Sequence, residues 1–508
     1  MRHFRFCLLL SSIALVSCTL GPNFKSPAPP SEKNYTDAQQ AQRLAANTAT
    51  LDAKQVLAIG EQLTGQWWTL FHCKALNTLI EQAVQHNPSL QAAQAALKAV
   101  QENVIAKQSD LLPAFDATAT STRQKTSGAQ FGNPSFGGSQ FTLFNTAVKV
   151  SYSFDVFGAV QRQIESLDAQ AQYQRFELEA TFLTLASNIS TAAIQEAALR
   201  AQIEALETII NQQSEQLAVI NQQFELGALA QTAVLAQQSS LAQTRTQLPP
   251  LQALLAQTRH QLSRLIGAAP DKALPTFSLA DLHLPAQLPL SVPSKLAQQR
   301  PDIQAQQALL HAASANIGVA IASAYPDFTI NASMSSIATH ITDLFIPGSG
   351  IWSVSGQLLQ PLFHGGQATH KKRQAEALYQ QAASNYRDTV LQALQNVADT
   401  LSALEFDAAS LNAQNSASSS AAASLELTRL QWQAGASSYV ALLNAQQSYQ
   451  QARLGQIKAT AARYADTVAL FQALGGGWWQ RPDLVKTLSA NQPPPKPRTW
   501  WQRLGDNW

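Results

Sequence analysis

The chain has 508 residues, with 34 Lys+Arg against 32 Asp+Glu, a length that suits about two to four domains. Setting aside residues 1–17, which hold Arg2 and Arg5 and no acid, leaves 32 against 32, and charged residues are only 13% of the whole. That excludes the basic face of a general nucleic-acid binder, and three cysteines exclude a disulfide framework or a Cys-rich metal site.

Arg2, His3 and Arg5 precede the apolar run Phe6 to Val16, too short to span a bilayer and suited to the core of an export signal. The run ends Leu15-Val16-Ser17-Cys18, which resembles a bacterial lipobox. Residues 1–17 therefore read as a lipoprotein signal peptide and Cys18 as the lipidated first residue of the mature chain. Thr19 stands where an Asp would resemble an inner-membrane retention signal, so the expected address is the outer membrane. Cys73 is then the one remaining thiol, expected as a small buried apolar side chain.

The body of the chain is duplicated. Phe224-Glu225-Leu226-Gly227, Val234-Leu235 and Arg245 recur as Trp432-Gln433-Ala434-Gly435, Leu442-Leu443 and Arg453, each shifted by 208. Upstream, Asn87-Pro88 and Pro113-Ala114-Phe115 recur as Arg300-Pro301 and Pro326-Asp327-Phe328, shifted by 213. Such self-similarity predicts a pseudo-twofold unit rather than a short-period solenoid. The expected divisions are 18–86, an N-terminal segment and equatorial region; 87–267, repeat 1; 268–299, a linker; 300–475, repeat 2; and 476–508, a Pro/Trp-rich tail.

Each repeat opens on a helix, about Leu90 to Asp110 and Ile303 to Ser323, closed by a proline that cannot extend the hydrogen-bond ladder. Period-two segments follow. Phe328, Ile330, Ala332 and Met334 alternate with polar neighbours, as do Val148, Val150, Tyr152 and Phe154; Ala114 to Lys125 and Ile351 to Leu362 alternate less cleanly. The reading is four half-apolar strands, two per repeat, about 114–157 and 326–363. Next come long helices. Leu199, Ile203, Leu206, Ile210, Leu217, Ile220 and Phe224 keep a coiled-coil spacing, and Leu394, Val397, Leu401, Leu404, Ala408 and Leu411 repeat it. Gly227 and Gly435 break these runs and a second helix returns from each. Pro249-Pro250 is expected to kink the first return helix.

Four strands cannot close a barrel, which needs about eight, and an open sheet cannot face lipid with unpaired edges. Either the sheet covers a soluble core, or several chains share one barrel. Three chains would supply twelve strands, with the helices forming a second tube lined by Gln, Ser and Asn.

These residues resemble the TolC-like outer-membrane factors, and specifically the lipidated NodT-type branch, over almost the whole mature chain. The resemblance rests on Cys18-Thr19-Leu20-Gly21-Pro22-Asn23-Phe24, Trp67-Trp68-Thr69-Leu70-Phe71, Asn87-Pro88, Phe154-Asp155-Val156-Phe157-Gly158, Arg300-Pro301-Asp302-Ile303, Pro361-Leu362-Phe363-His364-Gly365-Gly366 and the two Gly tips. It implies an α+β membrane protein. Three chains would form a homotrimeric tube with a shared twelve-stranded outer-membrane barrel and a periplasmic α-barrel of coiled-coil helices. It also implies a passive duct for drugs or small toxic solutes, working with a periplasmic membrane-fusion adaptor and an inner-membrane RND-type pump. The periplasmic aperture would map to Phe224, Gly227, Ala228, Leu229, Trp432, Gly435, Ser437, Tyr439 and Asn444. Where the family places acidic or Arg gate residues, this chain has Ala233, Ser437, Ala441 and Asn444, so a charged gate is not expected. Trp432 has an equally plain reading as packing within the coiled coil.

Catalytic signatures are not found. There is no Gly-rich phosphate loop before a helix, no His-Glu-x-x-His and no Gly-x-Ser-x-Gly. The expectation is a non-enzyme without cofactor beyond the lipid on Cys18, and with no nucleic-acid partner. The competing readings are the duct of an ATP-driven type I protein exporter and a lipid-anchored periplasmic coiled-coil scaffold.

Overall fold

A computed structural model describes residues 19–31, 34–36, 55–132, 135 and 138–481. The signal peptide, Cys18 and the tail beyond Arg481 lie outside the described residues. In chain order the elements are β1 (Val56–Ile59), α1 (Lys74–His86), α2 (Pro88–Gln108), β2 (Ala114–Lys125), β3 (Gln140–Phe154), α3 (Ala159–Glu225), α4 (Gln231–Thr246) and α5 (Leu248–Leu265). There follow β4 (Gln287–Leu290), α6 (Pro293–Gln299), α7 (Pro301–Ala322), β5 (Asp327–Ala338), β6 (Gly350–Leu359), α8 (Gln367–Gln433) and α9 (Tyr439–Ala473). The long helices α3 and α8 are both 67 residues and start 208 apart. Among the described residues no helix is long and apolar enough to cross a membrane.

The chain divides into two compact units. The first holds residues up to Pro27, Ala96–Arg175 and Ala305–Arg387. Its sheet has the order β2-β3-β5-β6, antiparallel throughout. The register resolves the strands whose alternation is weak in sequence. Phe115 faces Val150, Val150 faces Ala332 and Ala332 faces Val354; one step along, Ala117, Val148, Met334 and Trp352 form a second row. These rows share one apolar face with Tyr152, Phe154, Phe328, Ile330 and Leu358. The other face carries Thr118, Thr120, Asn145, Asn331, Ser333, Ser353, Ser355 and Gln357, together with Asp116 directly opposite Lys149. Strand β6 ends earlier than expected, at Leu359, because Pro361 has no N–H to offer a ladder.

In the same unit the segment just after Cys18 is pinned. Arg162 donates to the carbonyls of Leu20 and Gly21 and to Asn23 Oδ1, at 3.0, 3.3 and 2.9 Å. Phe24 stacks on His311 at 4.4 Å. Gly21, at φ +97°, lies so close to Gly318 that a Cβ would sit 2.4 Å from its Cα. Burial alone would raise the Glu165 carboxyl, but hydrogen bonds from His311 and Arg162 hold it below its ordinary value.

The second unit holds Ala28–Ala95, Phe176–Gln304 and the chain from Asp388. Its core gathers Trp67, Phe71 and Phe471, all fully buried, with Trp67 and Phe471 rings 5.6 Å apart. Cys73 is buried beside them in sequence, as a free thiol. Two short strands absent from the sequence reading, β1 and β4, pair in parallel here. At four residues each they are too short to show a period. Of the tail, Trp478 is buried and donates to the Gln299 carbonyl at 2.6 Å.

The duplication reaches the hydrogen bonds of this unit. Asn87 Nδ2 donates to the Leu265 carbonyl at 2.7 Å while its Oδ1 caps α2 at Leu90. In the second repeat, Arg300 does the same work for the return helix. Its guanidinium donates to the Ala473 carbonyl at 3.1 Å and holds Asp302 in two bonds, 3.0 and 2.6 Å. A cation at a helix C-terminus is favoured by the helix dipole, so both repeats close the same joint with different side chains.

Arg463, fully buried, ties α9 to the N-terminal part of the chain through Gln55 at 2.8 Å and to α8 through the Leu404 carbonyl. Beside it the Asp466 carboxyl hydrogen-bonds Asp407 and, raised chiefly by burial and then by that neighbour, is pushed up to about 7. Two carboxyls share such a bond only when one carries the proton. The folded state therefore holds more protons than the unfolded state between about pH 4 and 7, and stability falls as pH rises through that window. Asp466→Asn is expected to match the parent in thermal unfolding at pH 4 and to exceed it at pH 8. Equal unfolding midpoints at both pH values would contradict the shared proton.

Candidate functional site at the hairpin tips

Each long helix ends in the same stop. Ala228 N donates to the Gln223 carbonyl at 2.8 Å and Gly227 N to the Phe224 carbonyl at 2.9 Å, and 208 residues on Ala436 and Gly435 donate to Gln431 and Trp432 at 2.8 and 3.0 Å. This pair of bonds is the Schellman closure, which needs a left-handed residue. Gly227 and Gly435 supply it at φ +77° and +74°. The return helices then begin differently. Ser438 Oγ accepts from Ala441 N at 3.2 Å, whereas Ala230, in the corresponding place, has no side-chain cap.

Behind the turns lies one small core, in which Ile220, Val234, Tyr439 and Leu442 are buried and Leu217, Leu229 and Trp432 pack against them. Trp432 meets Tyr439 with ring centroids 6.1 Å apart. Burial pushes the Tyr439 hydroxyl above its ordinary value, so it stays a donor, and it donates to Gln237 Oε1. Gln237, fully buried, in turn donates to the Gln213 carbonyl at 2.8 Å. Further along, Thr244 donates to Gln450 at 3.3 Å and Gln450 to Gln247 at 3.1 Å. Those side chains line a cavity of about 90 Å³ with Ser240, Gln243, Gln447 and Gln451. The two return helices are thus joined by amides and hydroxyls, with no charged group in the links.

The first return helix breaks where its prolines stand. Helix α4 stops at Thr246 and α5 restarts at Leu248, with Pro249 and Pro250 in its first turn. The corresponding point of the unbroken α9 is Gly455.

Of the residues assigned to the aperture, Leu229, Trp432 and Tyr439 come together in the tip core. Gly227, Ala228 and Gly435 form the exposed turns, and Ser437 is half-buried. Phe224 is 41% exposed and Asn444 is exposed, and neither joins the core. Sequence reasoning missed Gln237, Gln213 and Gln450. Gln237 corresponds to Ala445 in the second repeat, so the duplication offers no signal for it among so many glutamines.

The family model described as "Outer membrane efflux protein" matches residues 79–268 and 292–476. The chain belongs to the outer membrane efflux protein family. It is 27% identical over 479 residues to the cation efflux system protein CusC of Escherichia coli, covering 94% of this chain and 98% of that one. It is 28% identical over 484 residues to the pyoverdine export outer membrane protein OpmQ of Pseudomonas putida, covering 94% and 98%. Among solved structures, the outer-membrane channel OprN superposes with a TM-score of 0.80 at 24% identity, over 91% of this chain and all of that one. As an outer-membrane efflux protein the chain serves as a channel of an efflux system, located in the outer membrane. The free sheet edges and the paired hairpins acquire their setting from that membership.

Proposed function

We propose that three chains pair the free edges of β2 and β6 to close one twelve-stranded barrel, and that the hairpin tips form its periplasmic aperture. The carrying observation is the strand register: one face of the sheet is apolar and the other is hydroxyl- and amide-rich. Such a sheet is suited to lipid outside and water inside only when its edges are closed. The two repeats, 87–267 and 300–475, each contribute two strands and one helical hairpin. Lipid on Cys18 anchors the chain next to Thr19, which packs against Gly158 at the junction of β3 and α3.

The duct is passive. A periplasmic adaptor docks on the tips and an RND-type inner-membrane pump supplies the energy. The aperture is held shut by the tip core and the Tyr439–Gln237 link rather than by ion pairs, so closure depends little on salt. The named relatives handle cations and pyoverdine, and small solutes are the cargo class proposed here. In-cell photo-crosslinking from Leu229 and Ser437, with captured proteins identified by mass spectrometry, tests this reading. An adaptor accompanied by a proton-driven pump is the expected catch. An adaptor with an ATP-driven transporter would move the function to protein or peptide export, and no adaptor at all would remove the tips from the docking site.

A further inference from the structure

The cations of the strands are sorted by face. Lys149 lies on the polar face with Asp116 directly across from it. Arg123 and Lys125 share the parity of Phe115, Ala117 and Ala119, and so extend the apolar face of β2. Their cross-strand partners on that face are Thr142 and Gln140, a hydroxyl and an amide. Among the described residues neither cation has a carboxylate within 4.0 Å, and neither has an acid as its cross-strand partner, as Lys149 has in Asp116. The connection 126–139 holds no Asp or Glu. In the other hairpin, Asp343 lies 3.6 Å from His340.

Their place along the strand matters as much as their face. Strand β2 starts just after α2 and ends at a hairpin, so its last residues point away from the helices. From Phe115 to Arg123 is eight residues, about 27 Å along the strand and about 20 Å across a membrane at the usual tilt. Arg123 and Lys125 therefore lie at the outward rim of the apolar band, about 7 Å apart. A cation facing lipid persists where it reaches an interface and finds an anion there, and none of the described residues supplies one within 4.0 Å of either cation.

We propose that Arg123 and Lys125 clamp the phosphate groups of a phosphorylated glycolipid in the outer leaflet, one site per chain. A guanidinium takes phosphate oxygens in two parallel bonds and the ammonium adds a second positive point. Thr142 and Gln140 supply neutral hydrogen bonds beside them. The inference rests on the shared-barrel reading, because only a closed barrel turns this face to lipid.

The test uses the purified full chain in detergent, examined by native mass spectrometry. The probes are bisphosphorylated lipid A and its dephosphorylated form. The trimer should retain the bisphosphorylated lipid, up to three molecules, and bind the dephosphorylated form at least tenfold more weakly. The double variant Arg123→Gln, Lys125→Gln should lose that difference while remaining trimeric, and Lys149→Gln, on the other face, should keep it. Trimers that hold both lipids alike, or a double variant that binds like the parent, would overturn the clamp alone. A parent protein that forms no trimer would overturn the barrel reading with it.

Discussion

Arg300→Met is expected to cost about 3 kcal/mol of stability, the lower end for breaking a buried ion pair, because Asp302 is 41% exposed and regains water when released. The loss comes from one place. Methionine fills much of the volume but leaves the Ala473 carbonyl, at the end of α9, without its donor and Asp302 without its guanidinium. Against a total stability of about 5–15 kcal/mol, this is a large fraction. Asn87→Ala breaks the corresponding joint in the first repeat and removes only neutral bonds, at about 1–2 kcal/mol. Thermal or urea unfolding of the two variants should therefore rank them in that order. Equal losses would show that the guanidinium contributes no more than an amide and that Asp302 is idle.

Tyr439→Phe is expected to open the aperture. The substitution keeps the ring against Trp432 and the tip core and removes only the hydroxyl. Gln237 Oε1, buried between the return helices, then has no donor, which costs about 1–3 kcal/mol. If the hydroxyl bond exists only when the tips are together, the closed-to-open ratio falls by about 5- to 150-fold. Passage of large antibiotics from outside, in cells lacking the pump, should rise accordingly. Pairing Tyr439→Phe with Gln237→Leu removes both polar partners and should recover much of the closure. A leak that is unchanged in the single variant, at equal expression, would place the lock elsewhere.

Much of the architecture was legible because it is written twice. The Gly227 and Gly435 stops and the helix-ending prolines each recur at a fixed shift, the alternation of β3 and of β5 is plain in each strand by itself, and each of these rests on a local rule. The β2 and β6 faces were harder, since Thr, Ala, Ser and Gly blur the contrast between sides; only the pairing with β3 and β5 resolves them. Strands β1 and β4 left no signal, because four residues exist as strand only through partners some 230 positions away in sequence. The tip site divides in the same way. Its turns follow from glycine conformation and its aromatics from resemblance, whereas the Tyr439–Gln237 link depends on which of many glutamines meets a tyrosine about 200 residues distant. The Asp407–Asp466 pair is likewise a tertiary fact, invisible to helical periodicity.

The most direct test of the shared barrel is cysteine crosslinking between β2 and β6 in a Cys73→Ser background. In one chain these strands occupy opposite edges of the sheet, separated by β3 and β5. They can meet only between chains. Cysteines would be scanned over Thr118, Thr120 and Thr122 against Ser353, Ser355 and Gln357, and oxidised in the native membrane. At least one pair is expected to yield covalent dimers and trimers, with the ladder ending at three. Products that remain monomeric at every pair, or a ladder that runs past three, would contradict a barrel made by three chains.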